Sequence, residues 1–149
     1  MTEPTGTRSP LVSHVSVGVT DMTRAGRFYD AVMGALGARR VMEHAVGIGY
    51  GRAFPEFWAA RPHDGRDASA GNGVHVCLTA DAPETVARFH AAGLAAGGFD
   101  EGAPGRRPHY APGYYAAFLR DPDGNKIEAV CWIAADTVVA SPTGPRTGS

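Results

Sequence analysis

His14-Val-Ser-Val17 and His75-Val-Cys-Leu78 are the opening segments of two halves of the chain that repeat each other. A glutamate closes each half inside an apolar run, Glu56 in the first half and Glu128 in the second. An internal repeat indicates a fold assembled from similar supersecondary units, since no unit can bury its apolar face alone. The repeat also suggests that two histidines and two glutamates occupy matching points of the fold.

The first half has the pattern of a strand, a helix and three short strands. Valines alternate with polar or small residues from position 11 to 19, which is the period-two signature of a strand with two different faces. Short strands are expected at residues 40–44, 47–51 and 55–60. Between the first strand and these three short strands, apolar residues recur at the spacing of one face of a helix. These residues are Ala25, Phe28, Tyr29, Val32, Met33 and Leu36.

The second half repeats this order from residue 74 onward. A strand at 74–79 is followed by a helix that begins near Asp81, where an acidic residue three positions later resembles a capping box. Residues 97–112 are rich in Gly and Pro, and a loop with at most one weak strand is expected there. Strands at 114–119 and 125–132 flank Asp121-Pro-Asp-Gly124, which predicts a hairpin turn.

The sequence therefore predicts an α+β fold of two βαβββ modules. They would form a curved, mostly antiparallel sheet, a half-barrel with the helices on its convex side. The first module covers about 11–61, a linker 62–73 and the second module about 74–133. Residues 1–10 are expected to form a flexible arm, and residues 134–149, rich in Ser, Thr, Gly and Pro, a disordered tail.

Composition excludes several classes of partner. The formal net charge of −1 gives no electrostatic basis for binding nucleic acid or an anionic membrane. No apolar run reaches the roughly 20 residues that a membrane span needs, and residues 1–10 lack the apolar core of a signal peptide. The two cysteines, Cys77 and Cys131, have no zinc-site spacing. A reduced, cytoplasmic protein with a small-molecule partner is expected.

Strand alternation directs both histidines away from the faces that the helices cover, toward a groove of the kind that binds small molecules. His14, Glu56, His75 and Glu128 together make a two-nitrogen, two-oxygen ligand set suited to Zn, Ni, Co, Mn or Fe(II). The sequence therefore predicts that these four residues form a metal site. Taken singly, each glutamate could instead lie exposed at a strand end or pair with a nearby cation, and each histidine could be a hydrogen-bonded core residue.

The repeated βαβββ pattern, with its two histidines and two glutamates, resembles that of the vicinal oxygen chelate superfamily. The most similar stretches are His14–Met22, Arg27-Phe-Tyr-Asp30 and Asp121–Glu128. That group includes glyoxalase I, extradiol dioxygenases, fosfomycin-resistance thiol transferases and bleomycin-resistance binding proteins. The chain is most similar to the small bacterial glyoxalase/bleomycin resistance protein/dioxygenase branch, related to glyoxalase I. The resemblance implies that the four predicted ligands hold a divalent metal ion and that Glu128 is catalytic and moves a proton.

Two classes of function follow from this resemblance. The first is a metal-dependent enzyme, a lyase or isomerase of the glyoxalase I type. Its metal would act as a Lewis acid on a small carbonyl or hydroxy substrate and stabilise an enediolate or alkoxide. A thiol transferase of the fosfomycin-resistance type is a variant of this class. The second is a metal-free protein that sequesters a drug, as bleomycin-resistance proteins do. A ring-cleaving dioxygenase is disfavoured, since those enzymes usually carry two such module pairs.

Two further expectations concern the groove and the assembly. The segment from residue 106 to 115 either lines the groove and binds an anionic or carbonyl-bearing substrate, or is a surface loop stiffened by proline. The residues expected to line the groove are Trp58, Arg106, His109, Tyr110 and Tyr115. Each module would leave sheet edges open, and superfamily members usually form two-fold dimers, so a homodimer is expected.

Overall fold

The computed structural model describes residues 10–140 and contains the two predicted βαβββ modules. Residues 1–9 of the predicted arm and 141–149 of the predicted tail lie outside the described range. The elements are β1 (Val15–Gly18), α1 (Met22–Ala35), β2 (Arg39–His44), β3 (Gly47–Gly51), β4 (Phe57–Ala60), β5 (His75–Thr79), α2 (Pro83–Ala95), β6 (Phe99–Arg106), β7 (Tyr114–Arg120) and β8 (Lys126–Trp132).

Each module forms its own four-stranded sheet. The strand orders are β1-β4-β3-β2 and β5-β8-β7-β6, so both modules have the same topology. The first strand of each module pairs in parallel with the last strand, and the remaining neighbours pair antiparallel. The predicted α+β class with two βαβββ modules is confirmed, with the eight strands divided between two sheets.

The helices cover their own sheets and pack against each other. The side chain of Asp21 accepts a hydrogen bond from the backbone N–H of Arg24 at 2.9 Å and caps the start of α1. In α2, a Cβ added to Gly93 would lie 2.3 Å from Cδ1 of Leu119 and 3.1 Å from Cγ1 of Val32. Glycine therefore permits the close approach of the two modules there. Within the described range, neither helix is long and apolar enough to cross a membrane.

The segment predicted to be mainly a loop contains β6, which has eight residues and is the longest strand described. Its pairing with β7 is irregular, with register shifts between Asp100 and Gly102 and between Gly102 and Gly105. These bulges interrupt the alternation of side chains on which strand prediction depends. A glycine-rich strand with two irregularities therefore has the sequence pattern of a loop.

The predicted hairpin turn between β7 and β8 is present, and it also joins the two modules. The hydroxyl of Tyr29 in α1 donates to Oδ2 of Asp121 at 2.6 Å. The backbone N–H of Thr20 donates to Oδ1 of Asp123 at 3.0 Å, and Nδ2 of Asn125 donates to the carbonyl of Gly18 at 2.8 Å. The turn thereby fixes the start of β8, the strand that carries Glu128.

Candidate functional site

The strands of the second module have one face toward the helices and one face away from them. Ile127, Ala129 and Cys131 of β8 lie in the apolar clusters beneath the helices. The alternate residues of β8, with their neighbours on β5 and β7, form the opposite surface, here called the open face. Its residues include His75, Cys77, Tyr114, Ala116, Phe118, Lys126, Glu128, Val130 and Trp132.

Glu128 is the buried carboxylate of the open face, with only 1 % of its surface exposed. Its Oε1 lies 3.2 Å from Nε2 of His75. Its Oε2 accepts a hydrogen bond from the hydroxyl of Tyr114 at 2.5 Å. Burial of a carboxylate is unfavourable unless each oxygen finds a partner, and here each does. The structure thus brings together two of the predicted ligands and adds a tyrosine that was not predicted.

Cys77 lies directly opposite Glu128 across the β5–β8 ladder, with its sulfur 3.8 Å from the hydroxyl of Tyr114. Desolvation and the charge of Glu128 raise the pKa of the Cys77 thiol to about 12. Desolvation and the hydrogen bond to Glu128 also raise the pKa of Tyr114 above its usual range. At neutral pH, Cys77 is therefore a thiol rather than a thiolate nucleophile, and Tyr114 keeps its proton as a hydrogen-bond donor.

This pKa makes Cys77 slow to react even though its side chain is accessible. In a Cys131→Ala background, where Cys77 is the chain's one remaining cysteine, we expect iodoacetamide at pH 8 to alkylate it at least about 100-fold more slowly than in the urea-unfolded chain. A pKa near 12 leaves few thiolates at that pH. Mass spectrometry of timed samples would measure both rates. Equal rates for folded and unfolded chains would contradict the raised pKa.

The other predicted ligand pair, His14 and Glu56, lies on the first module. The backbone N–H of Val15 donates to the carbonyl of Glu56 at 3.0 Å, which places His14 and Glu56 side by side at the edge of the β1–β4 ladder. Both residues are exposed. Within residues 10–140, no group of three or more His, Cys, Asp or Glu is close enough to hold a metal ion. The four predicted ligands are therefore present as two separate pairs.

The two glutamates do not occupy equivalent positions, contrary to expectation. Val15 pairs with Phe57 in the first module, as Val76 pairs with Ile127 in the second. Trp58 follows Phe57 as Glu128 follows Ile127, so Trp58 occupies the position equivalent to Glu128. Glu56 instead corresponds to Lys126. Because the runs around the two glutamates are similarly apolar, the offset of two residues is visible only from the strand register.

Trp58 gives the first module an aromatic surface. Its indole lies over Gly47 and Gly49, where an added Cβ would come within 3.7 Å and 3.0 Å of ring carbons. The ring of His44 stacks with the indole at a centroid distance of 5.8 Å and an angle of 4°. The alternate glycines of β3 are thus the sequence signal that a flat side chain covers this strand.

Arg106 and Tyr115, expected to line the groove, lie on the side of the helices. They are register partners, and Tyr115 packs against Val86 of α2. The guanidinium of Arg106 donates to the carbonyls of Ala134 and Thr137, within the described part of the predicted tail. Arg107 and Tyr114, the neighbours of Arg106 and Tyr115 in the sequence, lie on the open face instead. A shift of one residue along a strand exchanges its faces, and the residues of this segment alone do not fix that register.

The remaining predicted lining residues, His109 and Tyr110, form an aromatic series with the open face. The ring of Tyr110 is 4.3 Å from His109 and meets Tyr114 edge-on at 5.3 Å. Tyr114 in turn meets Trp132 edge-on at 5.1 Å. Tyr110 and Trp132 are 57 % and 67 % exposed. The rings therefore border Glu128 with aromatic surface that a ligand can reach.

A family model described as the Glyoxalase/Bleomycin resistance protein/Dioxygenase superfamily matches residues 11–129. A glyoxalase/bleomycin resistance protein from Albidiferax ferrireducens T118 is 40 % identical, with a TM-score of 0.74, over 81 % of this chain and 98 % of its own. A lactoylglutathione lyase from Agrobacterium tumefaciens shares the fold at 23 % identity and a TM-score of 0.57, over 83 % and 95 % of the two chains. No curated protein matches. The chain belongs to the glyoxalase/bleomycin resistance protein/dioxygenase superfamily.

Proposed function

We propose that this protein is a glyoxalase-like enzyme that acts on a small carbonyl or hydroxy substrate, with Glu128 as the group that moves a proton. The observation that carries the proposal is the buried Glu128 carboxylate, held between Nε2 of His75 and the hydroxyl of Tyr114. Groups that exchange protons in enzymes are commonly buried carboxylates with a few hydrogen-bonding partners. Two solved relatives with this fold are named lactoylglutathione lyase and glyoxalase-related enzyme.

The contacts of Glu128 define how a substrate would engage it. One oxygen of Glu128 faces His75 and the other accepts from Tyr114, and each oxygen has a second lone pair that an acidic C–H or O–H of a substrate can approach. The side chain of His75 is 47 % exposed, so this partner of Glu128 is open to a ligand. Tyr114 would keep its hydrogen bond and stabilise the charged carboxylate before the proton arrives. After transfer, the same hydroxyl can donate to a substrate oxygen that gains negative charge.

A divalent metal is the second part of the proposal, and one chain supplies only half of its site. His75 and Glu128 fit as one nitrogen and one oxygen ligand, while His14 and Glu56 lie together on the other module. We propose that the set is completed between the modules of two copies of the chain in a homodimer. A bound ion would polarise substrate oxygens as a Lewis acid. The proton transfer to Glu128 does not depend on this assembly.

Removal of His75 tests the metal and the assembly together. Protein purified without added metal should contain a divalent ion and have a mass near twice 15.6 kDa by light scattering. His75→Ala should lose at least about 10-fold in metal affinity, because a ligand is missing. His90→Ala, which removes a histidine paired with Asp100 away from the site, should keep its metal. Equal metal contents in wild type and His75→Ala, or a monomeric mass at micromolar concentration, would contradict the proposal.

Sequestration of a hydrophobic ligand is the second candidate function. It is favoured by the aromatic surfaces on both modules, Trp58 over the glycines of β3 and the Tyr110–Tyr114–Trp132 series beside Glu128. Such a protein would bind its ligand without turnover, and its affinity would survive EDTA.

A further inference from the structure

We propose that Lys126 and Arg107 form a carboxylate-binding subsite beside Glu128, and that the substrate is a 2-oxo or 2-hydroxy acid. The inference rests on the proposed function for the role of Glu128. The binding of the anion, however, depends only on the two cations and can be tested without turnover.

Both cations contact one aromatic ring on the open face. Nζ of Lys126 lies 5.1 Å from the ring centroid of Phe118, and Cζ of Arg107 lies 5.5 Å from it. Phe118 pairs with Glu128 across the β7–β8 ladder, and Lys126 pairs with His75 across the β5–β8 ladder. Cations over an aromatic face are held electrostatically while their remaining N–H groups stay available. The two positive groups therefore approach the ring of Phe118, the β7 partner of Glu128, from the two sides of β7.

Neither cation is neutralised within residues 10–140. Lys126, the one lysine of the whole chain, makes no ion pair or side-chain hydrogen bond there. The guanidinium of Arg107 donates to the backbone carbonyls of Ala103 at 2.8 Å and Gly105 at 2.9 Å. Those bonds fix its orientation without supplying negative charge. By contrast, Arg120, the strand neighbour of Lys126, pairs with Glu101 at 3.1 Å.

The carboxylate of Glu128 does not provide the missing charge, because its oxygens face His75 and Tyr114. An external anion is thus the partner that would complete this surface. A guanidinium and an ammonium are the two groups that most favour carboxylates and phosphates. On this face, Lys126 lies two residues before the proton acceptor on β8, and the guanidinium of Arg107 lies on the β6 side of Phe118.

The spacing indicates how long the bound anion can be. Lys126 and Glu128 are two residues apart on one strand, so their side chains leave the sheet about 7 Å apart. A carboxylate held by Lys126 and Arg107 would place the adjoining carbonyl or hydroxyl carbon toward Glu128. A 2-oxo or 2-hydroxy acid of a few carbons spans this distance. A phosphate ester of the same size would bind through the same cations, so carboxylate and phosphate ligands are tested separately.

Calorimetric titration with pyruvate measures the subsite directly. We expect Lys126→Gln and Arg107→Gln each to weaken pyruvate binding by about 10- to 100-fold, since each removes a charge-assisted interaction. Lys126→Arg keeps the charge and should restore most of the affinity. Arg66→Gln, which removes the same charge from an exposed arginine paired with Asp64, should bind as wild type does. Denaturant unfolding of each variant would confirm that it is folded.

Two further ligands separate the alternatives. Hydroxyacetone, a neutral analogue, should bind equally to wild type and Lys126→Gln, because it lacks the carboxylate. Inorganic phosphate should bind more weakly than pyruvate. Absence of pyruvate binding, or equal pyruvate affinity in wild type and Lys126→Gln, would overturn the subsite. Tighter binding of phosphate than of pyruvate would overturn its assignment to a carboxylate. Such a result would leave the role of Glu128 intact, since that role is measured by turnover of Glu128→Gln.

Discussion

Replacement of Glu128 by glutamine should lower turnover by about 100- to 10,000-fold, the usual effect of losing one general base. Glutamine keeps the shape of the side chain and one oxygen that can accept from Tyr114, so the fold and the bound ligand should persist. The amide has no basic oxygen to take a proton. We therefore expect kcat to fall while the dissociation constant of the ligand changes by less than about 10-fold.

The measurement pairs kinetics with binding. Turnover would be screened on 2-oxo acids and on thiol adducts of aldehydes, and ligand affinity would be followed by calorimetry with and without EDTA. Glu43→Gln is the matched control, because this exposed glutamate pairs with Arg40 away from the open face. If both variants turned over substrate as fast as wild type, Glu128 would not be the base. If no substrate were turned over by any form and affinity survived EDTA, sequestration would be the function.

The fold could be predicted from the sequence because its signals are local. The apolar stripe of α1, the alternation in β1 and the turn at Asp121-Pro-Asp-Gly124 each depend on a few neighbouring residues. The structure confirms these elements, although β1 begins at Val15 rather than near residue 11. At most one weak strand within a loop was expected where β6 lies, because bulges at glycines remove the periodic signal from a strand. The division of the strands between two sheets depends on pairing between strands that are far apart in the sequence, so local patterns do not reveal it.

For the site, the structure bears on which predicted residues lie together, and their role as metal ligands stays a prediction. His75 and Glu128 were expected together and lie 3.2 Å apart. Tyr114 and Arg107 lie in the segment that was expected to line the groove, but neither they nor Lys126 were named as site residues, because their faces depend on pairing across the sheet. The signal that would have found Tyr114 is the register of the hairpin, since counting outward from the turn pairs it with Trp132. A one-residue error in that count selects Tyr115, which faces α2.

A second large effect is expected on stability, at the turn that joins the modules. Asp121→Ala should reduce the free energy of unfolding by about 3–5 kcal/mol, a large part of the 5–15 kcal/mol typical of a small domain. Asp121 is completely buried. Its Oδ1 accepts from the backbone N–H groups of Asp123 and Asn125, and its Oδ2 accepts from Nδ2 of Asn125 and the hydroxyl of Tyr29. Alanine would leave these buried donors without an acceptor.

Two companion variants show which bonds matter, with wild type and all variants unfolded in urea. Desolvation, together with the nearby charge of Asp121, raises the pKa of Tyr29 well above its usual value, so this phenol remains a donor. Tyr29→Phe removes that single donor and should cost about 1 kcal/mol. Asp121→Asn can still accept from both backbone N–H groups, but its NH₂ would then oppose Nδ2 of Asn125, so an intermediate loss is expected. Asp64→Ala, at an exposed ion pair, should change stability by less than about 0.5 kcal/mol. If Asp121→Ala lost no more than Asp64→Ala, the turn would not hold the modules together, and the position of β8 and Glu128 would have to depend on the apolar core alone.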